Sequence, residues 1–220
     1  MHLWNGSLSS SFVIDSQTVT VHTAVHSELD ALAVQVCSPL VATGSVGVGL
    51  AFPYASTAFA GGTDWSVPGR HESSLVPGHP GVINHTLDNT TYFVHTTLSS
   101  GAQARPGAAP HDWIIASADN AQCLALTLWF SLSLQPPHSP PPSAHEVFRA
   151  SASAWPQRWL SGAALDLSGS TADGARELER RVVLSQYILM SQEAGSNPPQ
   201  ETGLMTNSWY GTWRRQKPTN

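Results

Sequence analysis

From Ser11 to Leu134 the dominant hydrophobic period along this chain is two. Val19 and Val21 alternate with Thr18, Thr20 and His22, and Leu32, Val34 and Val36 alternate with Ala33, Gln35 and Cys37. Val46, Val48, Leu50 and Phe52 continue the pattern, as do Tyr92, Val94, Thr96 and Leu98, and then Leu124, Leu126, Leu128 and Phe130. Such alternation marks strands with one buried face. Asp15-Ser16-Gln17 and Ser99-Ser100-Gly101 supply turns between runs. Roughly seven or more short strands of this kind predict a mainly β region built as an antiparallel β-sandwich.

Two stretches interrupt the alternation and read as irregular: a long loop over residues 60–81 and a short Ala/Gly/Pro insertion over 102–110. Residues 135–142, QPPHSPPP, lose backbone donors and have fixed φ, so they behave as a stiff linker. The sandwich is therefore placed in residues 1–135, a linker in 136–160 and a helical region in 161–220. Within the linker, 143–160 is helical around Val147, Phe148, Trp155 and Trp159, with Pro156 set to kink or restart it. Residues 164–168 read as a short strand, and Ser170, Thr171 or Asp173 as the cap of the next helix. That helix, 175–190, has Glu177 and Arg181 at i, i+4. It also carries a broad apolar face of Leu178, Val182, Val183, Tyr187, Leu189 and Met190. A face that wide needs other helices to pack on, so the region reads as the start of a helical domain.

Composition sharpens the picture. Hydrophobic residues make up 41% of the chain but charged residues only 11%, well below the usual figure of about a quarter. The balance is Ser, Thr, Ala, Gly and Pro, as strands joined by turns require. Net charge is −5 and there is no basic run before the C-terminal tail, so nucleic acid is excluded as an expected partner. No apolar stretch approaches the about 18 residues that would span a bilayer, and MHLWNGSLSS shows no secretory signal. Three glycosylation sequons point the other way: Asn5-Gly-Ser, Asn84-His-Thr and Asn89-Thr-Thr. Cys37 and Cys123, each in a strand-like run, read as two half-buried thiols and not as a bridge.

Cofactor chemistry finds no foothold. The ten histidines are scattered, and His22-x3-His26 on a strand would hold its rings too far apart for one ion, so no metal site is expected. GSVGVG at 44–49 superficially resembles a dinucleotide loop, but LAFPY follows it as another strand, with no helix to receive a phosphate. No P-loop or Gly-x-Ser-x-Gly elbow is present.

The order of these parts, with LDLSGS and ELERRVVLSQYILMSQEAGSNPPQETGLMTNSWYG at its end, resembles the N-terminal part of the six-hairpin glycosidases. The similarity is to proteins related to acid trehalase and maltose phosphorylase. It is most specific over 178–211 and extends to WNGSL at 4–8, DALAV at 30–34 and DWSVPGRH at 64–71. The resemblance implies a supersandwich-like β domain, a linker helix and the first helical hairpin of an (α/α)6 barrel. The expected activity is hydrolysis or phosphorolysis of an oligosaccharide or glycoside, without metal or cofactor. After Gly211 the tail TWRRQKPTN departs from the family's continuation. The chain is therefore expected to be a truncated member that lacks most of its barrel and the general acid.

The candidate sugar contacts follow from that resemblance. Gln200 and Glu201, in a Pro- and Gly-framed loop, would meet sugar hydroxyls at the barrel mouth, or would fix the hairpin through loop amides. Asn207, Trp209 and Tyr210 combine stacking faces with an amide, the usual make-up of sugar pockets, or they anchor the hairpin in a core. Asp64, Trp65, Arg70 and His71 lie in the long sandwich loop, which in related enzymes reaches toward the barrel, or they are simple surface. A reading of a different class also stands: a non-catalytic carbohydrate-binding or structural β-sandwich module.

Overall fold

A computed structural model describes residues 1–55, 62–117, 119–136, 140–193 and 195. The chain divides into two compact units, Met1–Trp155 and Pro156–Asn220. In the first unit the strands are β1 (Leu8–Ile14), β2 (Gln17–Val25), β3 (Ala31–Cys37), β4 (Val48–Ala51), β5 (Tyr54–Ala55) and β6 (Thr63–Asp64). They continue as β7 (His71–Leu75), β8 (Val82–Leu87), β9 (Thr90–Leu98), β10 (Ala102–Pro106), β11 (Asp112–Ser117) and β12 (Cys123–Ser131). A short helix, α1 (Pro39–Ala42), follows β3, and α2 (Ala144–Arg158) follows the linker.

All strand pairs are antiparallel. A seven-stranded sheet runs β1-β2-β3-β12-β9-β8-β7, a three-stranded sheet runs β10-β11-β4, and β5 and β6 form a small ribbon. The alternating residues do what their period requires. Val36, Ile83, Val94, Leu124, Leu126 and Leu128 of the large sheet pack with Trp113 and Ile115 of the small one. Those two inner faces make the sandwich-like core. Phe130, in register with the same alternation, lies beyond the covered area and is 40% exposed.

Turn chemistry sets the connections. Asp15 and Ser16, both at positive φ (47° and 63°), join β1 to β2 as the two central residues of a type I′ hairpin. Between β9 and β10 the Ala102 amide donates to the Ser99 carbonyl, with Gly101 at φ 75°. A β-turn with positive φ at its third position favours glycine, and this one carries the chain from one sheet to the other.

The outer face of the large sheet is covered as well. Ala31, Ala33 and Trp129 pack against Ala144, Val147 and Phe148 of α2, the two alanines leaving room for the helix. Ser143 begins α2 with a capping box: its hydroxyl accepts from the Glu146 amide, while the Glu146 carboxylate accepts from the Ser143 amide and hydroxyl. Farther along, the Ser151 hydroxyl donates to the Asn5 carbonyl at 2.9 Å. Gly6, at φ 68°, lies so close to the Trp155 indole that a Cβ there would overlap the ring. The Trp4–Leu8 motif thus clasps the linker helix, with Asn5 Oδ1 accepting from the Ser7 amide and hydroxyl to hold the turn.

Several expectations are corrected. Residues 60–81 are not one loop: β6, a 3-10 turn at Pro68–Arg70 and β7 lie within them. β7 was hidden because its inward residues are His71 and Ser73, not aliphatics. The 102–110 insertion begins as β10, paired along its length with β11. Cys37 and Cys123 are disulfide-bonded and not free thiols, because the β3–β12 register sets them directly opposite with Cα atoms 4.1 Å apart. α2 runs through Pro156 to Arg158 before a π-helical turn at Trp159–Ala163.

In the second unit, 164–168 forms no strand; instead the Leu167 amide donates to Glu179 at 2.7 Å. α3 (Ala175–Gln192) starts at Gly174 in the left-handed region, with no side-chain cap from Ser170, Thr171 or Asp173. Glu177 does bind Arg181 at 2.7 Å, and Arg180 as well. Hydrogen bonds from Arg180 and then Arg181 hold the Glu177 carboxyl down to about 2.

Candidate functional site

A dense polar cluster sits at the β7–β8 corner of the large sheet, capped by the β5–β6 ribbon and the Pro68–Arg70 turn. Its outer layer is built on Tyr54, which is 5% exposed and sits opposite Asp64 across the ribbon. The Tyr54 hydroxyl donates to Asp88 Oδ2 at 2.7 Å and accepts from Arg70 Nη2 at 2.6 Å. The same guanidinium lies 4.1 Å from the centre of the tyrosine ring, a cation–π contact. Arg70 and Asp88 are 3.9 Å apart and both well exposed, so their direct attraction adds little. The hydrogen bond to Asp88, then burial, raises the Tyr54 hydroxyl above its ordinary value.

Asp64 and Trp65 stand at the rim. Asp64 Oδ1 accepts from the Ser66 amide at 2.9 Å and the Ser66 hydroxyl at 2.6 Å, which closes the turn. Those two bonds, the hydroxyl first, hold the Asp64 carboxyl below its usual range. Trp65, between them, leaves 63% of its surface in solvent.

Beneath this layer lie three imidazoles. His71 Nδ1 and His85 Nε2 are 2.8 Å apart, and the His71 and His111 rings are tilted by 35° to each other with centroids 3.9 Å apart. His111 Nε2 is 2.8 Å from the Pro68 carbonyl. A carbonyl only accepts, so Nε2 carries a proton toward it, and Nδ1 lies 3.1 Å from the Ser73 hydroxyl. Trp113 Nε1 in turn donates to Ser73 Oγ at 3.3 Å. His111 therefore ties the Pro68–Arg70 turn to β7.

His85 is 1% exposed, between the rings of Phe52 and Tyr92, and its Nδ1 is buried without a hydrogen-bond partner. Burial first, then the neighbouring His71 and His111, pushes His85 down to about 4. His71 is lowered by burial and then by His111. At neutral pH both are uncharged donors and acceptors inside the sandwich. Among the described residues no group of three or more His, Cys, Asp or Glu is placed to hold a metal ion. His71 Nδ1 and His85 Nε2 face each other, and the two His111 nitrogens face Ser73 and Pro68.

A concavity of about 570 Å³ lies elsewhere, between the β2–β3 connection and the start of α2, lined by His26, Leu29, Pro140–142, Glu146 and Arg149 among others. Glu146 is already engaged in the capping box and His26 Nδ1 accepts from the Glu28 and Leu29 amides. This leaves fewer convergent polar groups there than at the corner.

Of the residues expected from the sequence, Asp64, Trp65, Arg70 and His71 come together at this corner. Gln200, Glu201, Asn207, Trp209 and Tyr210 lie outside the described residues. Sequence reasoning missed Tyr54, Asp88, Ser73, His85, His111 and Trp113. One signal was present: in β8, Ile83 and His85 share a face, so a buried Ile83 implied an inward His85. The sequon asparagines separate by position. Asn5 and Asn84 are half-buried, and Asn89 is exposed in the β8–β9 turn. No protein-family model matches the chain, and no curated protein matches its sequence.

Proposed function

We propose that this chain carries the β-sandwich, linker helix and first helical hairpin of a six-hairpin glycosidase-type protein of carbohydrate metabolism. On this reading the sandwich corner around Asp64, Trp65 and Arg70 meets an oligosaccharide or glycoside. Cleavage itself needs a proton donor and a second group acting on water, phosphate or the anomeric carbon, and that chemistry belongs to the helical barrel. Gln200, Glu201, Asn207, Trp209 and Tyr210 are the barrel-side contacts in this proposal.

The observation that carries the reading is the rim geometry. An indole 63% open to solvent sits in a turn that Asp64 closes, and Asp64 pairs across the ribbon with Tyr54, whose hydroxyl accepts from the Arg70 guanidinium. Aromatic faces stack on sugar C–H faces, and fixed polar neighbours select hydroxyls. On α3, Leu178 and Leu189 are 56% and 42% exposed, which supports further helices as their cover. The alternative, a non-catalytic carbohydrate-binding or structural module, is supported by the sandwich's own core of Ile83, Leu124, Leu126 and Ile115.

The test is cleavage and binding of trehalose, maltose and a small glycan panel by this chain and by a version extended with barrel-coding sequence. Turnover by the extended protein supports the glycosidase reading. Sugar binding by both with turnover by neither supports the binding module, and no binding by either rejects both.

A further inference from the structure

Two independent observations bear on covalent modification at the β8–β9 turn. The first is the Cys37–Cys123 bond, formed between two partly accessible positions of adjacent strands. Disulfides persist in oxidising compartments, the same secretory route on which Asn-x-Ser/Thr acceptors are used. The second is the placement of the three sequons.

Asn84 sits in the middle of β8, paired to Ser74 on one side and Phe93 on the other, half-buried, with Oδ1 accepting from the Thr86 hydroxyl at 3.4 Å. Asn5 is half-buried where the N-terminal clasp meets α2, its carbonyl taken by Ser151. Asn89 differs from both. Leu87 and Thr90 pair directly, so Asp88 and Asn89 alone make the turn, with Asp88 at φ 48°. Asp88, Asn89, Thr90 and Thr91 are all exposed. The turn is also held in place, because Asp88 accepts from Tyr54 and the Thr86 and Thr91 hydroxyls lie 3.0 Å apart. A bulky, hydrated substituent fits such a rigid, open turn without displacing a packed neighbour.

We propose that Asn89 carries an N-linked glycan. The donor class is a polyprenyl-diphosphate-linked oligosaccharide. Asn89 Nδ2 forms a bond to the sugar's anomeric carbon and loses one amide proton, and the bond from that carbon to the diphosphate oxygen breaks. Polyprenyl diphosphate leaves with the electron pair. This inference stands apart from the sugar-binding reading and survives its failure.

The test uses the full chain from its native host. Peptide mapping is done before and after an amidase that hydrolyses the glycosylated side-chain amide, releasing the glycan as a glycosylamine and leaving aspartate in place of the acceptor asparagine. The expected result is aspartate at position 89 after treatment and complete loss of that mass shift in Asn89→Gln and in Thr91→Val, with Thr91→Ser retaining it. An unmodified Asn89 in protein whose Cys37–Cys123 bond has formed would overturn the proposal, because that bond reports passage through the oxidising route. A mass shift that persists in both Asn89→Gln and Thr91→Val would overturn it equally.

Discussion

At the centre of the seven-stranded sheet the inner face is filled by Val36, Leu126 and Val94, whereas at its β7–β8 corner the same face is filled by His71 and His85, with the His111 ring tilted against His71. Backbone pairing is the same in both places. What differs is the chemistry of the filling. Aliphatic burial stabilises through area removed from water and does not depend on proton concentration. Buried imidazoles stabilise only while neutral, and they offer directed donors and acceptors that hold a turn. Architecture is therefore fixed at the centre, and the corner carries the candidate chemistry.

The comparison breaks most visibly at the centre. Leu126→Ala removes a fully buried side chain where the two inner faces meet, and the expected loss is about 4 kcal/mol, read from urea unfolding. A loss below about 1 kcal/mol would mean that the sheets do not pack as described. Next in size is the pair Cys37→Ser with Cys123→Ser. Opening a link with a sequence separation of 86 residues is expected to cost about 3 kcal/mol, measured as the drop in stability between oxidised and doubly substituted protein. If reduction left the urea midpoint unchanged, the bond would not be present in the folded chain.

A smaller effect distinguishes the corner. Burial holds His85 down to about 4 in the folded chain, against about 6.5 in the unfolded chain. At acid pH the unfolded chain binds more protons, so this stabilising contribution is complete above the unfolded value. It is lost as pH falls from about 6.5 to about 4. The expected loss is about 2 kcal/mol, seen as a falling unfolding midpoint over that window. His85→Leu should flatten the slope while leaving the slope from carboxylates below it. An unchanged slope in His85→Leu would place the acid sensitivity elsewhere.

The two regions were also unequally legible. β3, β9 and β12 declared themselves because Val36, Val94 and Leu126 stand in strict alternation, and Asp15-Ser16 marked its hairpin through residues that tolerate positive φ. β7 did not, because HESSL buries a histidine and a serine where the pattern looks for aliphatics. The disulfide was unreadable for another reason: it depends on the register between β3 and β12, which no single segment encodes. Asp64, Trp65, Arg70 and His71 were legible as a cluster by proximity in sequence. Tyr54, Asp88 and His111 reach the corner from three other segments, so only the folded chain shows them as its supports.

The central claim is that the corner faces a sugar, and calorimetric titration of the full chain with the glycan panel tests it most directly, wild type beside Trp65→Ala. The account predicts saturable binding to at least one glycan and a tenfold or greater loss in Trp65→Ala. The thermal midpoint should not change, since the indole is largely in solvent. Equal affinity in the two proteins, or no binding by the wild type to any member of the panel, would contradict it.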